Sequence, residues 1–265
     1  MSSAPGDPPL AERLRHRLAF WSHRLLRQDY RLTLRPFGEP VTFVISTRRE
    51  FNRATAVSYE GAFLQRILAH LRSGDTFFDV GANIGLVSLV VARHPSFSGG
   101  AVHAFEPEPR NFAHLQRNLA ANQLGPRASA HPIALSHEEG TANLFVRGET
   151  GDGRHSLVAA QGSTGSISVE VKTMTTFCVG KNVFPSVIKI DVEGAEGDVL
   201  QGMDGLLGRH RPRELFMEIH NKGGEDRMPG GESIDDWLTA RGFSRVWEER
   251  RGRGRHRHYR DTSAL

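Results

Sequence analysis

At four places in this sequence an apolar run stops on residues able to hold or activate a ligand. Phe77-Phe78-Asp79-Val80-Gly81-Ala82-Asn83-Ile84-Gly85 delivers an acid and then a glycine turn into the next apolar stretch. Gly81 and Gly85 permit close approach of a ligand to the backbone, and free amides at a helix start bind its polar atoms. Glu106 ends the run Val102-His103-Ala104-Phe105, 25 residues after Gly81. A carboxylate so placed accepts both hydroxyl protons of a ribose. Pro132-Ile133-Ala134-Leu135-Ser136 offers small and apolar atoms, Ala134 among them, to an adenine ring.

The remaining two stops carry Asp191 with Glu193, and Glu218 with His220. Period-two alternation puts Lys189 and Asp191 on one side of a strand, and a buried Lys or Asp is costly unless it pairs or reaches a cleft. Lys189 therefore reads as a structural ion pair reaching toward Asp79, and Asp191 as a group at the reacting end of the strand. Two chemistries fit Asp191, Glu193, Glu218 and His220. His220 or Asp191 can take a hydroxyl proton as general base, histidine titrating near neutrality. Alternatively Asp191, Glu218 and His220 can hold a divalent ion that acidifies a bound hydroxyl. A third reading keeps Glu218 as a structural acid bonded to loop amides.

These residues need a scaffold that gathers strand ends. From Tyr59 onward the pattern predicts helices over 60–71, 85–93, 110–122, 195–207 and 233–241, and strands over 76–80, 101–105, 130–135, 187–192 and 215–219. Residues 140–147 and 166–172 read as antiparallel excursions around a Gly/Ser-rich loop over 148–165. Strands alternating with helices imply parallel βαβ units covered on both faces, a doubly wound α/β domain. Ligands in such sheets bind beyond the carboxyl ends of the strands, where all four stops fall. Upstream, Leu14, Leu18, Trp21 and Leu25 recur at helical spacing among arginines. That spacing predicts a basic amphipathic helix over 10–26 packed on the main domain, with partner-docking, lid or membrane-surface roles as alternatives. Residues 31–46 alternate like a hairpin, and residues 1–9, rich in Ser, Pro and Gly, read as disordered.

Composition bounds the rest. A chain of 265 residues with 38% hydrophobic and 24% charged content is globular, which excludes collagen-like, coiled-coil and wholly disordered classes. The longest apolar run, 84–92, falls far short of the roughly 20 residues that span a bilayer, and arginines break every N-terminal apolar stretch. No transmembrane segment or secretory signal is read, so a cytoplasmic location is the expectation. One cysteine, Cys178, cannot form an internal disulfide or a Cys-based metal site. Residues 1–31 and 248–265 each carry six Arg against three acids, so the net charge of +4 resides at the two ends. Nucleic-acid enzymes more often spread cations over the active face, which makes nucleic acid a minority partner. The Arg-rich stretch 249–265 reads as a solvated tail or an edge strand, and removing residues 250–265 is expected to leave small-molecule turnover largely intact.

A dinucleotide fingerprint needs G-x-G-x-x-G, whereas Asn83 stands at the second glycine, which disfavours a nicotinamide enzyme. The D-x-G-x-N-x-G pattern resembles a variant of the class I methyltransferase glycine motif. Together with Tyr59-Glu60, Ala104-Phe105-Glu106-Pro107, Ile133-Ala134-Leu135-Ser136 and Ile188-Lys189-Ile190-Asp191-Val192-Glu193-Gly194-Ala195-Glu196, it resembles the FkbM family of S-adenosylmethionine-dependent methyltransferases. The resemblance runs in order from about Tyr59 to His220. It implies a Rossmann-like, mostly parallel seven-stranded sheet. It also implies methyl transfer to a hydroxyl of a small natural product or sugar. By the same resemblance Asp79, Gly81, Asn83 and Gly85 surround the methionine part of the cofactor, Glu106 holds the ribose, and Glu60 approaches the methionine amine. The expected organisation is an N-terminal helix and β extension over 1–58, a methyltransferase domain over 59–248, and the Arg-rich segment over 249–265. S-adenosylmethionine is the expected cofactor, with a divalent metal undecided, and an oligomer is compatible with the sequence. The rival readings are an RNA methyltransferase using the basic ends and a non-catalytic cofactor-binding module.

Overall fold

The computed structural model describes residues 10–25, 29–55, 61–146, 157, 165–220, 226–252 and 254–263. The expectations for residues 1–9, for Glu60 and for most of 148–165 lie outside them. The first elements are helix α1 (Leu10–Leu25) and an antiparallel hairpin, β1 (Tyr30–Leu34) with β2 (Val41–Ile45). The hairpin buries Leu32, Leu34, Val41, Phe43 and Ile45, the alternation expected of a sheet with one wet face. Helix α2 (Arg48–Ala54) follows, started by a capping box in which Thr47 and Glu50 each accept the other's backbone amide.

After α3 (Gly61–Ala69) come β3 (Thr76–Val80), α4 (Leu86–Arg93), β4 (Ala101–Phe105), α5 (Pro109–Ala121) and β5 (Ala128–His131). Short β6 (Ala134–Leu135), with β7 (Gly140–Val146) and β8 (Gly165–Lys172), builds a separate three-stranded sheet. The chain then returns through α6 (Met174–Lys181), β9 (Val187–Ile190), α7 (Glu196–Met203), β10 (Glu214–His220), α8 (Ile234–Ala240), β11 (Phe243–Arg251) and β12 (Gly254–Asp261). The main sheet has the order β11-β12-β10-β9-β3-β4-β5, in which β12 alone runs against the other six, pairing antiparallel with both β10 and β11. It is the Rossmann-like, mostly parallel seven-stranded arrangement.

Helices cover both faces because successive apolar residues of the inner strands point opposite ways. Phe77 joins the core under α3, α4, α5 and the hairpin, whereas Phe78 joins the core under α6, α7 and α8. Asn118 of α5 and its C-cap Asn122 fasten the hairpin to the domain. Asn118 Oδ1 accepts from Val44 N at 2.7 Å, and Asn122 both accepts from Thr42 N at 2.9 Å and donates to Thr42 O at 2.7 Å. These bonds occupy the free edge of β2. The chain builds β3, β4 and β5 outward in one direction and β9 and β10 in the other, so strand order reverses between β3 and β9. That switch point is where such folds bind ligands.

Three expectations need correction. The apolar run 130–135 is not one strand: Pro132, which has no amide to donate, separates β5 of the main sheet from β6 of the small one. Helix α1 forms, but it packs through His16 and Phe20, while Leu18 is 73% exposed and Trp21 45%. The stretch from 249 is not a solvated tail, and its final strand does not pair at the sheet edge, since residues 249–251 finish the edge strand β11 itself. β12 lies inside the sheet between β10 and β11, with His256, Arg257, His258 and Tyr259 buried. Its charges are matched one by one. Arg257 donates to Asp226 at 2.6 and 2.7 Å and to Glu248 at 2.7 Å. Arg66 Nε donates to His258 Nδ1 at 2.9 Å, and His258 Nε2 meets Glu214 at 2.7 Å. Removing β12 would take an internal strand out of the main sheet and leave β11 without its partner.

Candidate functional site

Beyond the carboxyl ends of β3, β4 and β9 lies a cleft lined by Gly81, Asn83, Phe105, Glu106, Ile133, Ala134, Leu135 and Asp191, among others. The turn after β3 explains its floor. Gly81 and Ala82 both donate backbone amides to Phe105 O, at 3.0 and 2.9 Å, which bends the chain toward β4. A Cβ on Gly81 would stand 1.9 Å from Asp191 O, so only glycine lets the turn pass the end of β9. Asn83 has φ +51°, a left-handed conformation that asparagine tolerates better than most residues, and this is how it replaces glycine in the motif.

Glu106 is held from two sides. Its Oε2 accepts from Asn83 N at 2.8 Å and its Oε1 from Glu108 N at 2.9 Å, and the residue is 6% exposed. Burial raises its pKa to about 7 even though both amides favour the ionised form. A fixed, desolvated carboxylate with lone pairs toward a cleft suits a vicinal diol. Apolar Phe105, Ile133, Ala134 and Leu135 line the same cleft.

Asp79, Gly85 and Lys189 shape the turn from behind. Asp79 is fully buried, accepting from Ser88 N at 3.0 Å and Ser88 Oγ at 2.6 Å and pairing with Lys189 Nζ at 3.0 Å. It lies outside the cleft lining. Lys189 also donates to Gly81 O at 2.9 Å and lies 3.6 Å from Asp191. Burial would lower its pKa, but Asp79 and Asp191 prevail and raise it. Gly85, with φ +91°, begins α4 where a Cβ would meet Leu115 at 2.7 Å. Its glycine is required by helix packing.

The ends of β9 and β10 bring Asp191, Glu193, Glu218 and His220 together. His220 Nε2 lies 3.5 Å from Glu193, 3.7 Å from Glu218 and 3.8 Å from Asp191, while its Nδ1 meets Glu196 at 3.0 Å. Glu193 is held at φ +54° on a turn closed by Gly194 N donating to Glu196 at 3.1 Å. Burial would lower the His220 pKa, but the Glu196 bond and the charges of Asp191 and Glu193 raise it to about 10. At neutral pH the imidazole is therefore charged. Glu218 would be raised by burial, yet His256 at 3.3 Å, with His220 and Arg53, brings it down to about 2.

Two participants escaped the sequence reading. Glu196 stands in the quoted motif but was given no role; it is fully buried and orients His220. Arg53, from α2, lines the cleft and approaches Asp191 at 3.8 Å. Its helix is seven residues long, too short for a periodic signal.

A family model described as the Methyltransferase FkbM domain matches residues 79–245. The chain belongs to the FkbM methyltransferase family. Its FkbM-family relatives include "31-O-demethyl-FK506 methyltransferase FkbM" of Streptomyces tacrolimicus, 29% identical with 68% of this chain and 84% of that one covered. "Hexuronic acid methyltransferase AglP" of Haloferax volcanii is 28% identical, with 69% and 72% covered. "Methyltransferase 1" of Beauveria bassiana is 30% identical over 49% of this chain, and the match spans 59% of the fungal protein's length. Among solved structures, methyltransferase FkbM from Methylobacillus flagellatus KT aligns with a TM-score of 0.45 at 15% identity, covering 81% of this chain and 62% of that one. In this FkbM chain, Gly81, Asn83, Glu106 and Ala134 share one cleft with Asp191, while Asp79 and Gly85 support it.

Proposed function

We propose that this protein is an S-adenosylmethionine-dependent O-methyltransferase acting on a hydroxyl of a small natural product or a sugar. The observation that carries the reading is the single cleft joining Glu106 to Asp191 across the β3–β9 switch point. The residues present fit the cofactor: Glu106 would hold the ribose diol, Phe105, Ile133, Ala134 and Leu135 would enclose the base, and the Gly81–Asn83 turn would border the methionine part. When bound, the cofactor supplies an electrophilic methyl carbon. Asp191 accepts the hydroxyl proton of the acceptor, and the charged His220 holds Asp191, Glu193 and Glu218 in one polar cluster. Lys189 and Arg53 keep Asp191 turned to the cleft. Orientation and water exclusion supply most of the remaining acceleration. The names of two relatives, one a demethyl-FK506 methyltransferase and one a hexuronic acid methyltransferase, support a small-molecule or sugar acceptor. Burial inside the sheet removes Arg257, one of the six arginines of 248–265, together with His256 and His258, from any RNA contact.

A metal-assisted variant rests on one further observation. Donor atoms of Asp191, Glu193 and His220 lie within 4.8 Å of one another, with Glu193 taking the place expected for Glu218. An oxygen-rich set with a His whose other nitrogen is fixed by Glu196 suits a hard divalent ion, which would acidify a bound hydroxyl. The function is tested by calorimetry with S-adenosylmethionine, followed by a mass-shift screen of glycans and hydroxylated natural products. No binding heat, or no methylated product from any hydroxyl acceptor, overturns the reading.

A further inference from the structure

Helix α1 presents two faces with different fates. Inward, Phe20 stacks on Phe51 of α2 with ring centroids 5.0 Å apart, and His16 Nδ1 meets Tyr30 Oη at 2.6 Å. Outward, Leu18 and Trp21 lie three residues apart, a spacing that places them side by side on one helical face, and both are exposed. Exposed Arg15 and Arg17 flank them, and the helix as a whole carries four Arg against one Glu. Arg17 and Trp21 also border a small recess floored by Phe20 and Phe51, and exposed Arg48 at the start of α2 closes its far side.

We infer that this face of α1 docks on an anionic phospholipid bilayer. A leucine and a tryptophan between arginines is the arrangement of a helix lying in the interface plane: the apolar pair enters the acyl boundary and the guanidinium groups meet lipid phosphates. Tryptophan favours the headgroup level because its ring is apolar and its N–H is polar. Charge selects this occupant, since two arginines from separate helices converge beside Trp21 and the helix itself is strongly cationic. No helix among the described residues is long and apolar enough to cross a membrane, so the contact is peripheral. The docked face is coupled to the cleft through α2, whose Arg48 borders the recess and whose Arg53 lines the cleft. Five residues separate them, about 8 Å of helix rise. Docking would thus hold the cleft close to the bilayer surface. The inference does not depend on which reaction the cleft performs.

The test is co-sedimentation of the full chain with vesicles of pure phosphatidylcholine and of phosphatidylcholine containing phosphatidylglycerol, in low and high salt. The expected result is at least tenfold stronger binding to the anionic vesicles, weakened by salt. The double variant Leu18→Ser/Trp21→Ser and the double variant Arg17→Glu/Arg48→Glu should each lose at least tenfold. Circular dichroism and S-adenosylhomocysteine binding of both variants should remain unchanged, which separates lost docking from lost folding. Equal binding to both vesicle types, absent binding, or unchanged binding by the Leu18/Trp21 variant overturns the inference. So does a dimer in sedimentation equilibrium that this variant dissolves, because the face would then belong to a second copy.

Discussion

Glu106 gives the most demanding test of the cofactor assignment, because its ionisation is set by burial and its proposed task needs the charge. In the ligand-free protein its pKa is raised to about 7. Only the ionised form accepts both hydroxyls of a diol, so binding must first drive off the proton that is present at lower pH. With a pKa near 7, ionised Glu106 falls about tenfold between pH 8 and pH 6, and the affinity for S-adenosylhomocysteine should fall by about the same factor. The sign for stability runs the other way. The folded state holds this proton more tightly than an unfolded glutamate, so ionisation between about pH 4.5 and 7 costs the empty protein up to about 3 kcal/mol, fully expressed above pH 7. Ligand binding should offset part of that loss, giving a larger thermal shift at pH 8 than at pH 6. Isothermal calorimetry in two buffers of different ionisation enthalpy reads both the affinity and the proton released. Glu106→Gln should weaken binding at pH 8 by about 10- to 100-fold, the worth of a charged hydrogen bond, and should flatten the pH dependence. A wild-type affinity that changes less than about threefold from pH 8 to pH 6 would refute the assignment. An equally steep slope in the Gln variant would do the same.

Other outcomes follow from the same geometry. Asp191→Asn should cut kcat by about 10²- to 10⁴-fold, the range for a lost general base, while S-adenosylhomocysteine affinity stays within a few fold; the opposite split would move the base elsewhere. Activity after exhaustive EDTA treatment separates the two acceptor-activation routes, and only the ion-assisted one predicts loss restored by Mg²⁺ or Mn²⁺. Gly81→Ala should fail to fold or lose ligand binding, because its Cβ would stand 1.9 Å from Asp191 O at a φ of +77°; a soluble variant with wild-type melting would contradict this. Arg257→Ala should lower stability by about 1–3 kcal/mol, the worth of lost charged hydrogen bonds to acids that stay partly solvated and keep Arg245 and Arg255 nearby, read by denaturant unfolding.

What could be read from the sequence was what the chain announces locally. β3, β4 and the glycine turn are apolar runs ended by an acid and Gly81, and their placement follows from those few residues. Glu106 is legible because strand end and glycine spacing point to the same place. The acceptor cluster was legible as residue types, but the charge state of His220 was not, since it depends on Glu196 and three further carboxylates assembled by folding. β12 misled because its buried residues are Arg and His, whose partners Arg66, Glu214 and Asp226 lie far away in the chain. The apolar period of α1 correctly marked a helix and marked the wrong side as inward, because Phe20 and His16 form the packed face. Run 130–135 looked continuous although Pro132 divides it between two sheets.

The placement of β12 also has a consequence for biosynthesis. β11 leaves the ribosome before β12 but pairs with the rest of the main sheet through β12. It must therefore wait for its hairpin partner, and the pair docks as one unit against β10. Until then Leu215, Phe216 and Met217 sit on an open edge able to recruit strands from other nascent chains. Folding yield should accordingly depend on how quickly the last hairpin follows β10, and slow translation over 221–254 would favour inclusion bodies.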